Sequence, residues 1–300
     1  MGISHNHSHT PSIQISHSKA FAIGIALNVA FVIIEVVYGL IANSSALLAD
    51  AGHNASDVLG LVFAWTAAWM ATIKPKGKYT YGLRKSTILA SILNALLLFG
   101  AVGIITWNAI EKLKDPEPVF GTQIMIVAGI GVVINTITAL LFIKGQKNDL
   151  NIKGAFLHMA ADAAVSAGVV IAGLLINLTG KLWIDPLTSF VIIIVIILGT
   201  WRLLTDSIDL ALDAVPKNID LQKVRTFLLN KKGVNDIHDL HIWALSTSQV
   251  ALTAHLYIPK DNGNNDSFIN NLQKELEREF GINHVTIQIE KEEWDCANDF

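Results

Sequence analysis

The sequence predicts a membrane bundle of six transmembrane helices followed by a cytoplasmic α+β domain, on three observations. Charge is scarce: 52% of the 300 residues are hydrophobic and 16% are charged, against about 25% charged in soluble proteins. Charge is also unevenly placed. Residues 1–206 carry 13 Lys/Arg and 10 Asp/Glu, whereas residues 207–300 carry 9 and 15, so a sparse, slightly basic part precedes a dense, acidic one. Third, six apolar stretches reach the roughly 20 residues that cross about 30 Å of hydrocarbon.

The stretches run approximately over Ala20–Ala42, Ser45–Ala71, Ser86–Ile110, Gly121–Ile143, Gly154–Leu178 and Leu182–Leu204. Short links at Asn43–Ser44 and Thr179–Lys181 make the flanking spans tight antiparallel hairpins. Nine basic residues collect near the span ends on one side (Lys19, Lys74, Lys76, Lys78, Arg84, Lys85, Lys144, Lys147 and Lys153), and three on the other (Lys112, Lys114 and Lys181). Basic residues stay on the cytoplasmic side, which predicts a multi-pass protein with both termini in the cytoplasm. The polar opening predicts no secretory signal. The short loops favour a bacterial inner membrane.

Beyond Asp213 the pattern changes. Ile219–Asn230 has helical spacing, residues 234–245 and 249–258 read as strands around the turn Ser246–Ser248, Ser267–Phe280 reads as an amphipathic helix, and His284–Glu290 alternates as a last strand. The order αββαβ predicts helices on one face of a small sheet, whose open edges favour a second copy of the chain and hence a homodimer. The organisation is thus a His-containing tail (1–18), a transmembrane domain (19–206) and a regulatory or dimerisation domain (207–300).

Composition narrows the function. A lone Cys296 provides neither a disulfide framework nor a thiolate-rich metal centre. No basic surface suggests nucleic acid, and no Walker motif suggests ATP.

Ionisable residues inside spans cost roughly 2.5–3.5 kcal/mol on insertion scales and so mark function. The second span holds Asp50, His53 and Asp57; the fifth holds His158 and Asp162. His53–Asp57 and His158–Asp162 repeat the pattern His-x-x-x-Asp, which places both side chains on one helix face. Two such faces supply two imidazoles and two carboxylates, a tetrahedral set suited to Zn²⁺. Asp50 reads as a neighbour of the ligands or a mouth-lining group. Glu35 reads as a proton site or as packing glue, and Asp185 beside Pro186 as the cap of the last span. His5, His7, His9 and His17 form a sparse tract able to gather ions.

These residues resemble the cation diffusion facilitator family, in its zinc-transporting branch. The likeness lies in LLADAGHNASD, YTYGLRK, NIKGAFLHMAADAAVSAGV, WIDP, IHDLHIWAL and LTAHL. The resemblance implies six spans, a ferredoxin-like cytoplasmic domain, dimerisation and a transport site at His53, Asp57, His158 and Asp162. It implies a charge contact at Lys85 and Asp213. It also implies a cytoplasmic metal site at positions held here by His238, His255, Gln288 and Glu290; with Gln288 in place of a His that site is impaired or rearranged, and His241, His284 or Asp239 could substitute. Relatives often carry Glu where Thr87 stands. The function expected is Zn²⁺ export (with Cd²⁺ or Co²⁺ as further cargo) by proton antiport, not enzymatic catalysis. A metal-gated channel, a metal sensor or an intramembrane metalloenzyme are the alternatives.

Overall fold

The computed structural model describes residues 18–143, 150–259 and 265–292. His5, His7, His9, His17, Lys144, Lys147 and Cys296 lie outside the described residues. The helices are α1 (Ser18–Ile41), α2 (Ser45–Ala71), α3 (Ser86–Lys114), α4 (Gly121–Phe142), α5 (Leu150–Thr179), α6 (Ile184–Ala211), α7 (Leu221–Leu229) and α8 (Asn265–Phe280); the strands are β1 (Asp236–Ala244), β2 (Val250–Tyr257) and β3 (His284–Glu290). Four helices are long and apolar enough to cross a membrane: α3, α4, α5 and α6. The α2 helix falls short because Asp50, His53 and Asp57 interrupt its apolar run, and in α1 the described apolar stretch is Asn28–Ile41. Helix is the form that lets a span bond its own backbone groups where water is absent.

The chain forms two compact units, Met1–Val58 with Gly100–Ile196, and Leu59–Phe99 with Ile197–Phe300. In the first, α4 and α5 pack backbone to backbone. A Cβ at Gly121 would stand 2.6 Å from the Gly173 carbonyl oxygen, and one at Gly173 would stand 2.8 Å from that of Gly121. Small residues at such a crossing let helices approach closely in lipid. Phe31 of α1 packs against Gly131 of α4. The turn between α1 and α2 is made by Asn43 at φ 49°, whose carbonyl accepts from Lys112 Nζ at 2.7 Å. Asp185 does not cap its own helix. It accepts from Ser44 Oγ and from the Ser45 and Ala46 backbone N–H groups, so it holds the N-terminus of α2. The two residues lie about 140 positions apart, beyond the reach of a local capping argument.

In the second unit, α6 runs seven residues beyond the predicted span, through the polar Thr205–Ala211. Hydropathy marks the hydrocarbon, and the helix need not stop there. It ends where Asp213 takes φ 62° and the Ala214 N–H bonds back to the Asp209 carbonyl, a left-handed helix stop. The αββαβ order is as the pattern predicts. The sheet order is β1-β2-β3, with β1 antiparallel and β3 parallel to β2. Its core is formed by Val224, Leu228, Ile237, Leu252, Leu256, Leu272, Leu276 and Ile282, all buried. Asp220 caps α7 by accepting from the Gln222 and Lys223 N–H groups, which holds its carboxyl below the usual range. Three contacts join this fold to the start of α3: Lys85 Nζ to Asp213 Oδ1 at 2.7 Å, the Thr247 N–H donating to Thr87 Oγ1 at 3.1 Å, and Tyr81 edge-on to His284.

Candidate metal centres

The first cluster stands on two helices of the first unit. Each His-x-x-x-Asp pair lies along one face, and the two faces meet so that the pairs cross. His53 Nε2 of α2 lies 3.2 Å from Asp162 Oδ1 of α5, and His158 Nε2 of α5 lies 3.3 Å from Asp57 Oδ2 of α2. Asp162 Oδ2 is also 3.8 Å from His158 Nε2. Zn–N and Zn–O bonds of about 2.0–2.2 Å would place tetrahedral ligand atoms about 3.3–3.6 Å apart. His53, Asp57 and Asp162 offer ligand atoms that all lie within 4.8 Å of one another, and His158 stands outside that group, beside Asp57 and Asp162. Asp57 Oδ2, although close to His158, has no hydrogen-bond partner. Exposure is graded across the cluster: the Asp162 side chain is 3% exposed and that of His158 46%.

Asp50 is fully buried and does not line a mouth. It accepts from Ser166 Oγ and lies against Glu35, whose Oε2 accepts from Asn54 Nδ2. Spacing alone could not foresee this cluster of four, because its members come from α1, α2 and α5.

The second cluster stands on the sheet. The register places His238, His255 and Gln288 side by side on β1, β2 and β3. Glu290 reaches back to both histidines, at 3.0 Å from His238 Nε2 and 2.9 Å from His255 Nδ1. His238 Nε2 and Glu290 Oε2 are buried without hydrogen-bond partners. Gln288 stays outside the three-residue group and donates to Glu290 Oε1 at 2.8 Å. Asp239 sits in a bulge of β1 at φ 53°. Its carboxylate lies 2.8 Å from His241 Nε2 and 3.6 Å from His255 Nε2, and the His241 hydrogen bond holds it below the usual range. His284 is turned to Tyr81 instead.

The family model described as the cation efflux transmembrane domain matches residues 21–210, and that of the cation efflux protein cytoplasmic domain matches residues 216–292. The chain belongs to the cation efflux family. Among family members, the metal cation efflux system protein CzcD of Cupriavidus metallidurans is 36% identical, over 100% of this chain and 95% of that protein. The cadmium, cobalt and zinc/H(+)-K(+) antiporter of Bacillus subtilis is 33% identical, over 96% and 92%. The zinc transporter ZitB of Escherichia coli is 32% identical, over 96% and 93%. A solved structure of the metal-bound C-terminal domain of the CzcD transporter shares 39% identity over 24% of this chain and 99% of that chain, at a TM-score of 0.22. As a cation efflux protein, the chain is a membrane transporter of metal cations and not an enzyme.

Proposed function

We propose that this cation efflux protein exports Zn²⁺ from the cytoplasm in exchange for protons, through a site formed by His53, Asp57, His158 and Asp162. The observation that carries the reading is the crossed pairing of the two His-x-x-x-Asp faces, with His53, Asp57 and Asp162 close enough together to share one ion and His158 beside Asp57. Two imidazoles with two carboxylates suit a borderline divalent ion. Binding requires neutral imidazole and ionised carboxylate, so protons and metal compete for the same side chains. Histidine, with an ordinary pKa near 6.5, exchanges its proton in the physiological range.

The six helices α1 to α6 are read as spans with both termini in the cytoplasm of a bacterial cell, 19–206 forming the transmembrane domain after the tail at 1–18. The αββαβ segment, 207–300, is read as a ferredoxin-like domain that dimerises. His238, His255 and Glu290 are read as a regulatory Zn²⁺ site there, and Lys85 with Asp213 as an interlock. The names of the Bacillus subtilis and Escherichia coli relatives support zinc as cargo and protons as counter-ion.

The test uses purified protein in proteoliposomes with one dye for Zn²⁺ and one for pH. Wild type should move zinc inward and protons outward, with saturation and dependence on the pH gradient. His53→Ala or Asp162→Ala should abolish both signals. Full transport by either variant overturns the site.

A further inference from the structure

Three residues before His53 on α2, Asp50 belongs to a second polar cluster of the same unit. Asp50 and Glu35 are both fully buried, and their carboxyls lie within hydrogen-bonding reach of each other. Each has one anchored oxygen: Asn54 Nδ2 donates to Glu35 Oε2 at 2.9 Å, and Ser166 Oγ donates to Asp50 Oδ2 at 2.9 Å. The other oxygens, Glu35 Oε1 and Asp50 Oδ1, are buried with no donor. The ionisable groups around Asp50 are Glu35 from α1, His53 on its own helix and Asp162 from α5; Glu35 faces Asp50. The α4 helix has no ionisable residue. Among the described residues, no Lys or Arg pairs with either carboxyl.

Two carboxylates in contact, removed from water and without a cation, cannot both stay ionised, because repulsion adds to desolvation. A single proton removes one charge and supplies the donor that both free oxygens lack. Metal loading changes the surroundings. With one imidazole protonated, the metal-free cluster keeps one net negative charge from Asp57 and Asp162, and a divalent ion that displaces that single proton brings the net charge to zero. In a low-dielectric interior that change favours ionisation of the nearby Asp50.

We propose that Glu35 and Asp50 form a proton site, separate from the metal ligands, that holds one shared proton in the metal-free protein and releases it when zinc binds. The proposal rests on the transport site at His53, Asp57, His158 and Asp162. It adds a proton to the one displaced from the ligands themselves, and it gives Glu35 and Asp50 a part in coupling that does not run through metal ligation.

The experiment is calorimetric zinc titration of the full-length protein in detergent, in buffers of different ionisation enthalpy, which counts protons released per zinc. Glu35→Gln and Asp50→Asn should each release one proton fewer than wild type, with zinc affinity held within about tenfold. Infrared difference spectra provide a second readout. Adding zinc to wild type should remove a protonated-carboxyl C=O band that is missing from both variants. Ser166→Ala, which keeps both carboxyls, should shift that band. Equal proton counts in wild type and variants overturn the proposal, as does a zinc-induced spectrum without the band or a band that Ser166→Ala leaves in place. Asp162→Ala separates the two readings. If it binds as many zinc ions as wild type, the transport site falls. If it binds one zinc fewer while Glu35→Gln releases as many protons as wild type, only the shared-proton site falls.

Discussion

Asp162 is the pivot of the proposed transport site. Its two oxygens face different histidines, at 3.2 Å from His53 and 3.8 Å from His158, and its side chain is almost fully buried. Asp57 lies 3.3 Å from His158, belongs with His53 and Asp162 to one close group, and is 29% exposed. Both carboxylates act on both imidazoles, but Asp162 does so from a buried position where water screens its charge less. Asp162→Asn should weaken zinc binding by more than the roughly 10–100-fold typical of a lost supporting contact, and by more than Asp57→Asn does. Calorimetry on the two variants measures the order; a reversed order would move the pivot to Asp57. These residues were legible in the sequence because a four-residue repeat fixes a common helix face. Asp185 was not legible in the same way. Its neighbour Pro186 suggests a local cap, but its partners Ser44 and Ser45 come from another helix, and nothing in the local pattern names them.

At the scale of elements, the α4–α5 crossing sets where α5 holds His158 and Asp162. The crossing depends on Gly121 and Gly173, each of which would bring a Cβ under 3.0 Å from the other's carbonyl. Gly173→Leu has no space to fill and must force the helices apart. Such overpacking costs about 1–3 kcal/mol. A lowered melting temperature together with weaker zinc binding is the expected result, read by thermal unfolding and calorimetry. A variant with unchanged melting would show that the crossing relaxes freely. Hydropathy located these helices well but ended α6 at Leu204, since it reports the apolar part of a helix and not its backbone stop at Asp213. Strand β3 was placed at His284–Glu290 by its alternation. The bulge at Asp239 was missed, because a one-residue register shift leaves no mark on an alternating pattern.

For the whole molecule, the contact between the start of α3 and the segment after α6 is the point of interest. Lys85 and Asp213 meet at 2.7 Å with about half of each side chain exposed. An exposed pair contributes about 1 kcal/mol or less to stability, so its value must be sought in transport. Asp213 also holds a left-handed turn, which Asn tolerates. Asp213→Asn thus removes the charge and keeps the helix stop. Lys85→Gln, Asp213→Asn and the double variant should lower zinc flux to one common level while melting shifts little. Flux losses that add in the double variant would show that the two residues act separately. The neighbouring Thr87 accepts from the Thr247 N–H, a role only the folded chain discloses.

The sequence by itself determined the architecture and the chemistry on offer: apolar runs fix spans, periods of 3.6 and 2 fix helices and strands, and a repeated His-x-x-x-Asp fixes two donor faces. The tertiary structure decided which groups meet. It crossed His53 with Asp162 and His158 with Asp57, set Glu290 rather than Gln288 against His238 and His255, turned Asp185 to α2, and buried Glu35 against Asp50. The reason is physical. Periodicity records which way a side chain faces along its own element, whereas a partner on another element is chosen by packing, at glycine crossings and turns whose geometry no local pattern encodes.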